Sequence, residues 1–298
     1  MKQNSLKAWV LAARPKTLTG CAVPVMIGLA WAWTDDRALF GGFAFRWLPA
    51  VLCLLFAFVM QIDANLINDF YDYARGTDDQ ATRLGPARAC ASGWVTLDAM
   101  KYAIAATTVV GCLVGLPLIS YGGLEMLLVG ALCVVFCFLY TTLLSYHAMG
   151  DVLVLVFFGV VPVCCTYYVQ LHTLTWQVAL SSLLCGLVID ALLLVNNFRD
   201  RDTDRDAGKT TLVVKLGTRR SLTLYLFTGV AACMGGMAFA CQHPMAALLP
   251  LIYLVLHIAT WLKIKQIDHG RELNSCLGET ARNIFVYGLT VAAGIVIL

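Results

Sequence analysis

Charge is scarce in this chain. Asp, Glu, Lys and Arg together make up 13% of 298 residues, against about 25% in an ordinary globular domain, which excludes a fold solvated by water on all sides. The signatures of redox and transition-metal chemistry are also missing. Twelve cysteines include no CxxC pair, and most lie inside apolar runs, where cysteine serves as a small buried apolar residue. His147, His172, His243, His257 and His269 lack metal-ligand spacing and are read as interfacial or internally satisfied. Period-two alternation is absent, which argues against a membrane β-barrel. A net charge of +3 is too small to suggest a nucleic-acid partner. The opening MKQNSLKAWVLAARPKTLTG has basic residues but no short apolar run ending in a small-residue cleavage site, so a retained first span is expected rather than a cleaved signal.

What the chain has is apolar length. Hydrophobic residues make up 60% of it, and its mean hydropathy is +0.77. Nine runs are long enough to cross a bilayer as helix: 17–33, 47–67, 99–119, 124–144, 150–170, 176–196, 221–240, 245–262 and 281–298. Only helices satisfy the backbone in such segments once a barrel is set aside. With nine spans, 19 of the 21 Lys and Arg residues fall on one side, leaving Arg37 and Arg46 opposite, and this asymmetry predicts that the basic side is cytoplasmic. The expected fold is an all-α, polytopic membrane bundle of about nine transmembrane helices, with residues 1–298 forming a single membrane-embedded domain.

Two of the runs end alike. Residues 66–72 read LINDFYD and residues 194–200 read LVNNFRD, each closing an even-numbered span and opening a long loop on the basic side. The match suggests an internal duplication, with copies near 66–78 and 194–206 and a ligand site between them. Connections on the opposite side, near 120–123 and 171–175, are only a few residues long. Bulk and charge are therefore concentrated on one face, where a functional surface belongs.

On a helix, Asn65, Asn68, Asp69 and Asp72 share one stripe, and Asn196, Asn197, Asp200 and Asp204 form its counterpart. Like charges so stacked need compensation. Three readings are open: solvated helix ends, although acids at a carboxy-terminal end oppose the macrodipole; a surface network with Arg75, Arg199, Arg201 and Arg205; or a divalent-cation site. Oxygen-only ligands without His or Cys suit Mg²⁺, which combines a few carboxylates with water and phosphate. Arg83, Lys209 and Lys16 lie in the same loops and could contact diphosphate oxygens. A charged head at the rim over an apolar bundle fits an isoprenyl diphosphate.

These residues carry a family resemblance. RPKTL at 14–18, NDFYDYARGTD at 68–78, RLGP at 83–86, GDVLVLVFFG at 150–159 and NNFRDRDTDRDAGKTTLVVKLG at 196–217 resemble the UbiA superfamily of intramembrane aromatic prenyltransferases, in particular its 1,4-dihydroxy-2-naphthoate branch. The resemblance is strong to about residue 220 and weak in the last three spans. It implies a UbiA-like bundle around a central cavity. Metal would fall to Asn68, Asp69, Asp72, Asp78, Asn197, Asp200 and Asp204, with Asp72, Asp200 and Asp204 catalytic. Arg83, Lys209 and Asn196 would bind diphosphate. The family pattern NDxxDxxxD places a carboxylate at position 76, where this chain has Gly76; Asp78 is the branch's substitute.

The implied reaction is Mg²⁺-dependent transfer of a polyprenyl group from its diphosphate to dihydroxynaphthoate with loss of CO₂, giving a demethylmenaquinone. Arg14, Lys16, Asn65, Tyr140 and Asp151 are candidates for orienting the aromatic acid, and Phe157 and Phe158 for lining the prenyl path. Arg14 and Lys16 also suit positive-inside anchors, and Tyr140 an interfacial aromatic. Asp63 and Asp190 lie inside spans and are read as pairing with each other or staying protonated. An alternative is a prenyltransferase of the same superfamily acting on 4-hydroxybenzoate or another aromatic acceptor. A more distant one is an ion-coupled transporter, which would place its polar clusters at the bilayer midplane. The protein is expected in the inner (cytoplasmic) membrane.

Overall fold

The computed structural model describes residues 2–76, 83–144 and 147–297, and helices dominate it. A short, largely apolar helix, α1 (Leu6–Ala13), meets α2 (Pro15–Leu39) at Arg14. There a φ of 51° turns the chain, and Pro15 opens α2 at a position where no N–H is needed. Then come α3 (Trp47–Ala74), α4 (Leu97–Gly122), α5 (Glu125–Thr142), α6 (Gly150–Leu171), α7 (Trp176–Asp206), α8 (Leu212–Phe239) and α9 (Pro244–Ile267). With α2 these are the eight helices, among the described residues, long and apolar enough to cross a membrane. Helix α10 (Leu273–Val296) completes the bundle.

Each apolar run of the sequence falls on one of these helices, the last on α10. That helix starts eight residues before its apolar run because its polar residues are partnered inside the bundle. Asn283 donates to Thr260 Oγ1 at 2.9 Å, Thr280 and Tyr225 share a hydroxyl–hydroxyl bond of 2.9 Å, and Lys263 of α9 pairs with Glu279. Partnered polar groups are tolerated where lone ones are not.

The main core gathers Val23, Ile27 and Trp31 of α2, Tyr167 of α6, Val188 of α7 and Ile284, Tyr287 and Ile295 of α10. Two further clusters hold the ends of the motif helices. Leu66 and Ile67 of α3 pack with Ala8, Ala12, Ala89, Val95 and Met100. Leu194 and Phe198 of α7 pack with Tyr225, Ile264 and Leu273. Inside a bilayer such contacts work through close packing rather than release of water, and they fix where each acidic helix end points.

Of the two readings of the intramembrane acids, pairing with each other fails, and α6 carries an irregularity the apolar runs do not show. Asp63 and Asp190 do not pair with each other. Asp63 accepts from Thr107 Oγ1 at 2.5 Å and Thr108 Oγ1 at 2.8 Å, tying α3 to α4, whereas Asp190 of α7 neighbours Asp151 of α6. In α6, Leu155–Val160 forms a π-helical stretch. Gly159 sits there against the backbone of Gly186 in α7, so closely that a side chain on either residue would overlap the other helix. Such turns often mark functional sites.

Candidate active site

The two acidic helix ends converge. Asn68 and Asp72 at the end of α3, Asn196, Asn197, Asp200 and Asp204 on α7, Arg83 from the loop after α3 and Lys209 from the loop after α7 all line one cavity of about 1160 Å³. That exceeds the roughly 300–1,000 Å³ of common small-ligand pockets. From this charged mouth the cavity descends between α2, α3, α5 and α6, past Cys53, Cys133 and Val161, to Leu118 and Met126 near the far end of the bundle. A single bridge between His147 and Thr210 joins the loops before α6 and after α7 at the rim.

Helix periodicity sorts the acids of α7 into two sets. Asp202 turns outward, 3.6 Å from Arg205 and 4.0 Å from Arg201, while Arg201 reaches Asp268 at 3.3 Å. The surface-network reading holds for these. Asp200 and Asp204, one turn apart, face the cavity. Arg199, only 2% exposed, grips Asp200 through two bonds, Nε to Oδ1 at 2.8 Å and Nη2 to Oδ2. It also donates to Asn274 Oδ1 and Asn196 Oδ1 at 2.9 Å each. Gly85 of the RLGP segment packs against this guanidinium, where a β-carbon would come within 2.7 Å of Nη2. The sequence placed Arg199 in a surface network; instead it is the buried clamp that orients one cavity carboxylate, and the glycine of RLGP is the trace it leaves in the sequence.

Cations balance the other carboxylates. Lys209 Nζ stands 3.5 Å from Asp204 and Arg88 3.7 Å from Asp72, and Asp72 also faces Lys209, Arg14 and Arg83 across the mouth. Arg88, which the sequence reading passed over, belongs to this set. Burial, together with the neighbouring Arg14 and Arg199 guanidiniums, pushes Arg83 down to about 10. It remains a cation at neutral pH, and an added anion would relieve it. Its backbone is fixed from the start of α10 and the turn before it: Asn274 and Arg271 donate to the carbonyls of Leu84 and Arg83 at 2.8 and 3.2 Å.

Among the described residues no three carboxylates, thiols or imidazoles are close enough to enclose a metal by themselves. Asp204 Oδ2 is nevertheless buried without a hydrogen-bond partner, and Asn68 and Asn197 line the same cavity. This donor set fits Mg²⁺, which takes one or two carboxylates and completes its octahedron with water and substrate phosphate.

The remaining candidates divide. Arg14, Lys16, Asn65, Tyr140, Asp151, Phe157 and Phe158 all line the cavity. Burial lowers the Arg14 pKa against the opposing pull of Asp69 and Asp72, and its Nη2 is buried without a partner. Asn65 is committed locally: its Nδ2 donates to Ala13 O at 3.0 Å and Thr17 Oγ1 at 2.9 Å, which holds the turn that presents Arg14. Tyr140 lies among Asp151, Asp72, Asp190 and Asp204, and Phe157 packs against Phe136 with ring centroids 5.0 Å apart. Asp69 is a correction. It is fully buried outside the cavity wall, and its two oxygens accept the Ala89 and Cys90 N–H groups at 2.8 and 3.0 Å. It anchors the loop after α3 rather than presenting a ligand. Asp78 lies outside the described residues.

A bundle of membrane-length helices around an apolar bore, with two carboxylate-bearing helix ends and a ring of cations at its mouth, defines an intramembrane protein with one deep, polar-headed cavity. The chain belongs to the UbiA prenyltransferase family, whose match covers residues 21–289. It is 36% identical over 239 residues to the 1,4-dihydroxy-2-naphthoate octaprenyltransferase of Escherichia coli, covering 76% of this chain and 75% of that one. It is 32% identical to the protein of the same name from Mycobacterium tuberculosis, covering 98% and 97%. The fold matches the apo structure of a UbiA homolog from Aeropyrum pernix with a TM-score of 0.69 at 15% identity, covering 94% and 97%. It also matches a UbiA homolog from Archaeoglobus fulgidus bound to GPP and Mg²⁺ with a TM-score of 0.63 at 15% identity, covering 96% and 99%.

Proposed function

We propose that this protein transfers a polyprenyl group from polyprenyl diphosphate to 1,4-dihydroxy-2-naphthoate with loss of CO₂, yielding demethylmenaquinol, the reduced form of a demethylmenaquinone, and that its charged mouth faces the cytoplasm from the inner membrane. The observation that carries this is the convergence of Asp72, Asp200 and Asp204 with Arg83 and Lys209 at the entrance of one apolar cavity. Relatives named for this reaction support the choice of acceptor.

Magnesium, held by Asp72, Asp200 and Asp204 with Asn68 and Asn197, would supply positive charge to the diphosphate oxygens as the allylic C1–O bond breaks. The chain's own groups do the rest. Arg83, Lys209 and Asn196 donate to the same oxygens, and the bonding electron pair leaves with the diphosphate. Tyr140, Phe157 and Phe158 present aromatic faces to the positive C1 carbon, and the apolar wall keeps water from it. Arg14 and Lys16 hold the carboxylate of the aromatic acid, while Asp151 accepts a hydrogen bond from a ring hydroxyl. The ring carbon bearing the carboxylate bonds to C1, and CO₂ departs, leaving its bonding pair in the ring.

The test incubates membranes carrying the protein with dihydroxynaphthoate, octaprenyl diphosphate and Mg²⁺. A prenylated naphthoquinol that disappears with EDTA is expected. Turnover of 4-hydroxybenzoate in place of dihydroxynaphthoate would overturn the acceptor, and no prenylated product from either would overturn the reaction.

A further inference from the structure

Four glycines line the cavity: Gly20, Gly115, Gly130 and Gly150. Packing accounts for two of them. A β-carbon at Gly115 would meet the Phe56 ring at 3.0 Å, and one at Gly150 would meet Leu193 at 3.3 Å. At Gly20 and Gly130 the same position is open for 4 Å. Gly20 lies about one turn from Lys16, at the mouth. Gly130 is different, because it sits in the middle of α5, where glycine is less favourable than alanine. It has no left-handed φ and no crowding neighbour to explain it.

The register of α5 gives its direction. Met126, Gly130, Cys133, Cys137 and Tyr140 repeat at helical spacing along one stripe, and all line the cavity. Leu128 and Leu132, on another face, are 64% and 42% exposed and turn toward lipid. Depth follows from the same helix. Tyr140 lies at the inner edge of the acid cluster, among Asp151, Asp72 and the deeper Asp190, and Gly130, ten residues away, lies about 15 Å deeper at a rise of about 1.5 Å per residue. Where α5 packs against α3, the Cys137 Sγ is 4.0 Å from the Met60 carbonyl oxygen. Helices α3 and α5 run in the same direction, so seven residues farther down each, Cys53 comes level with Gly130.

An isoprene unit has four carbon–carbon bonds of about 1.5 Å and extends roughly 5 Å, which brings the third unit of a bound chain to Gly130. On the prenyl-transfer function proposed above, we infer that Gly130 sets the permitted length of the donor. Its absent side chain keeps the bore open beyond the third unit.

The test measures kcat/KM of the purified protein for geranyl, geranylgeranyl and octaprenyl diphosphates with a fixed aromatic acceptor, in wild type, Gly130→Ala, Gly130→Leu and Gly130→Trp. Geranyl transfer should stay within about twofold of wild type in the alanine and leucine variants, which also shows that they fold. Geranylgeranyl and octaprenyl transfer should fall about tenfold or more in the leucine variant and further in the tryptophan variant, the scale on which pocket size discriminates. An octaprenyl-to-geranyl ratio unchanged from wild type, or an equal loss on all three donors in the leucine variant, would overturn the inference. A wild type that prenylates no acceptor from any donor would instead overturn the prenyl-transfer function itself.

Discussion

Replacing Asp69 by asparagine separates two roles that the sequence merges. Asp69 is fully buried and accepts two backbone N–H groups, from Ala89 at 2.8 Å and Cys90 at 3.0 Å. An asparagine offers one oxygen and one NH₂, so one of those N–H groups must face another donor. The loss of a charge-assisted bond and the stranding of a buried donor together cost about 3 kcal/mol. At roughly 2–4 °C per kcal/mol, the detergent-solubilised protein should unfold about 6–12 °C lower. Because Asp69 is not on the cavity wall, the Mg²⁺ concentration for half-maximal activity should not move. Asp72→Asn should show the reverse: little thermal change and a collapse of turnover. Thermal unfolding and a Mg²⁺ titration of activity, run on both variants, test this. An Asp69→Asn protein with wild-type stability and a raised Mg²⁺ requirement would refute the anchoring role.

Asn at Asp72, Asp200 or Asp204 should each lower kcat by about a hundredfold or more, the scale of removing one group that stabilises leaving charge, while circular dichroism stays that of wild type. Arg199→Lys keeps the charge but loses the fork that holds Asp200, Asn196 and Asn274. Forfeiting about 1.5–3 kcal/mol of charged hydrogen bonding should cut kcat/KM about tenfold to a hundredfold, and wild-type kinetics would contradict the clamp. Asn65→Ala frees the turn that presents Arg14, so the KM for the aromatic acid should rise more than the KM for the prenyl donor. Asp63→Ala should leave activity intact and shift unfolding only slightly. Thr107 and Thr108 already lie 2.9 Å from the Ala103 and Ile104 carbonyls and can turn to them, and interhelical polar pairs in membranes average about 0.6 kcal/mol. A large loss of turnover would give Asp63 a role in the site.

Apolar length made the fold legible. The runs at 47–67 and 176–196 sit on α3 and α7, but both helices continue past them, to Ala74 and Asp206, because hydropathy stops at the acidic motif while the helix does not. The mouth was legible for a chemical reason: acids and bases are so rare in this chain that Asp72, Asp200, Asp204, Arg83 and Lys209 stood out, and all of them line the cavity. Partnership was not legible. Spacing puts Asp69 on the stripe of Asp72, and only the loop folded back over it shows that its oxygens are taken by Ala89 and Cys90. Arg199 and Arg205 look alike in RDRDTDRD, and the difference between the buried clamp and the solvated rim depends on where Asn274 and Gly85 arrive from distant parts of the chain. Asp63 lacked a visible partner because Thr107 and Thr108 lie 44 and 45 residues away in an apolar run.

The most direct measurement of whether the two helix ends share one ligand is calorimetric binding of a geranyl diphosphate analogue whose bridging oxygen is replaced by sulfur, with and without Mg²⁺, to wild type, Asp72→Asn and Asp200→Asn. Mg²⁺-dependent binding should be present in wild type and weakened about tenfold or more in each variant, since opposing a diphosphate needs both carboxylates. Undiminished Mg²⁺-dependent affinity in either variant would mean that α3 and α7 do not hold the diphosphate together.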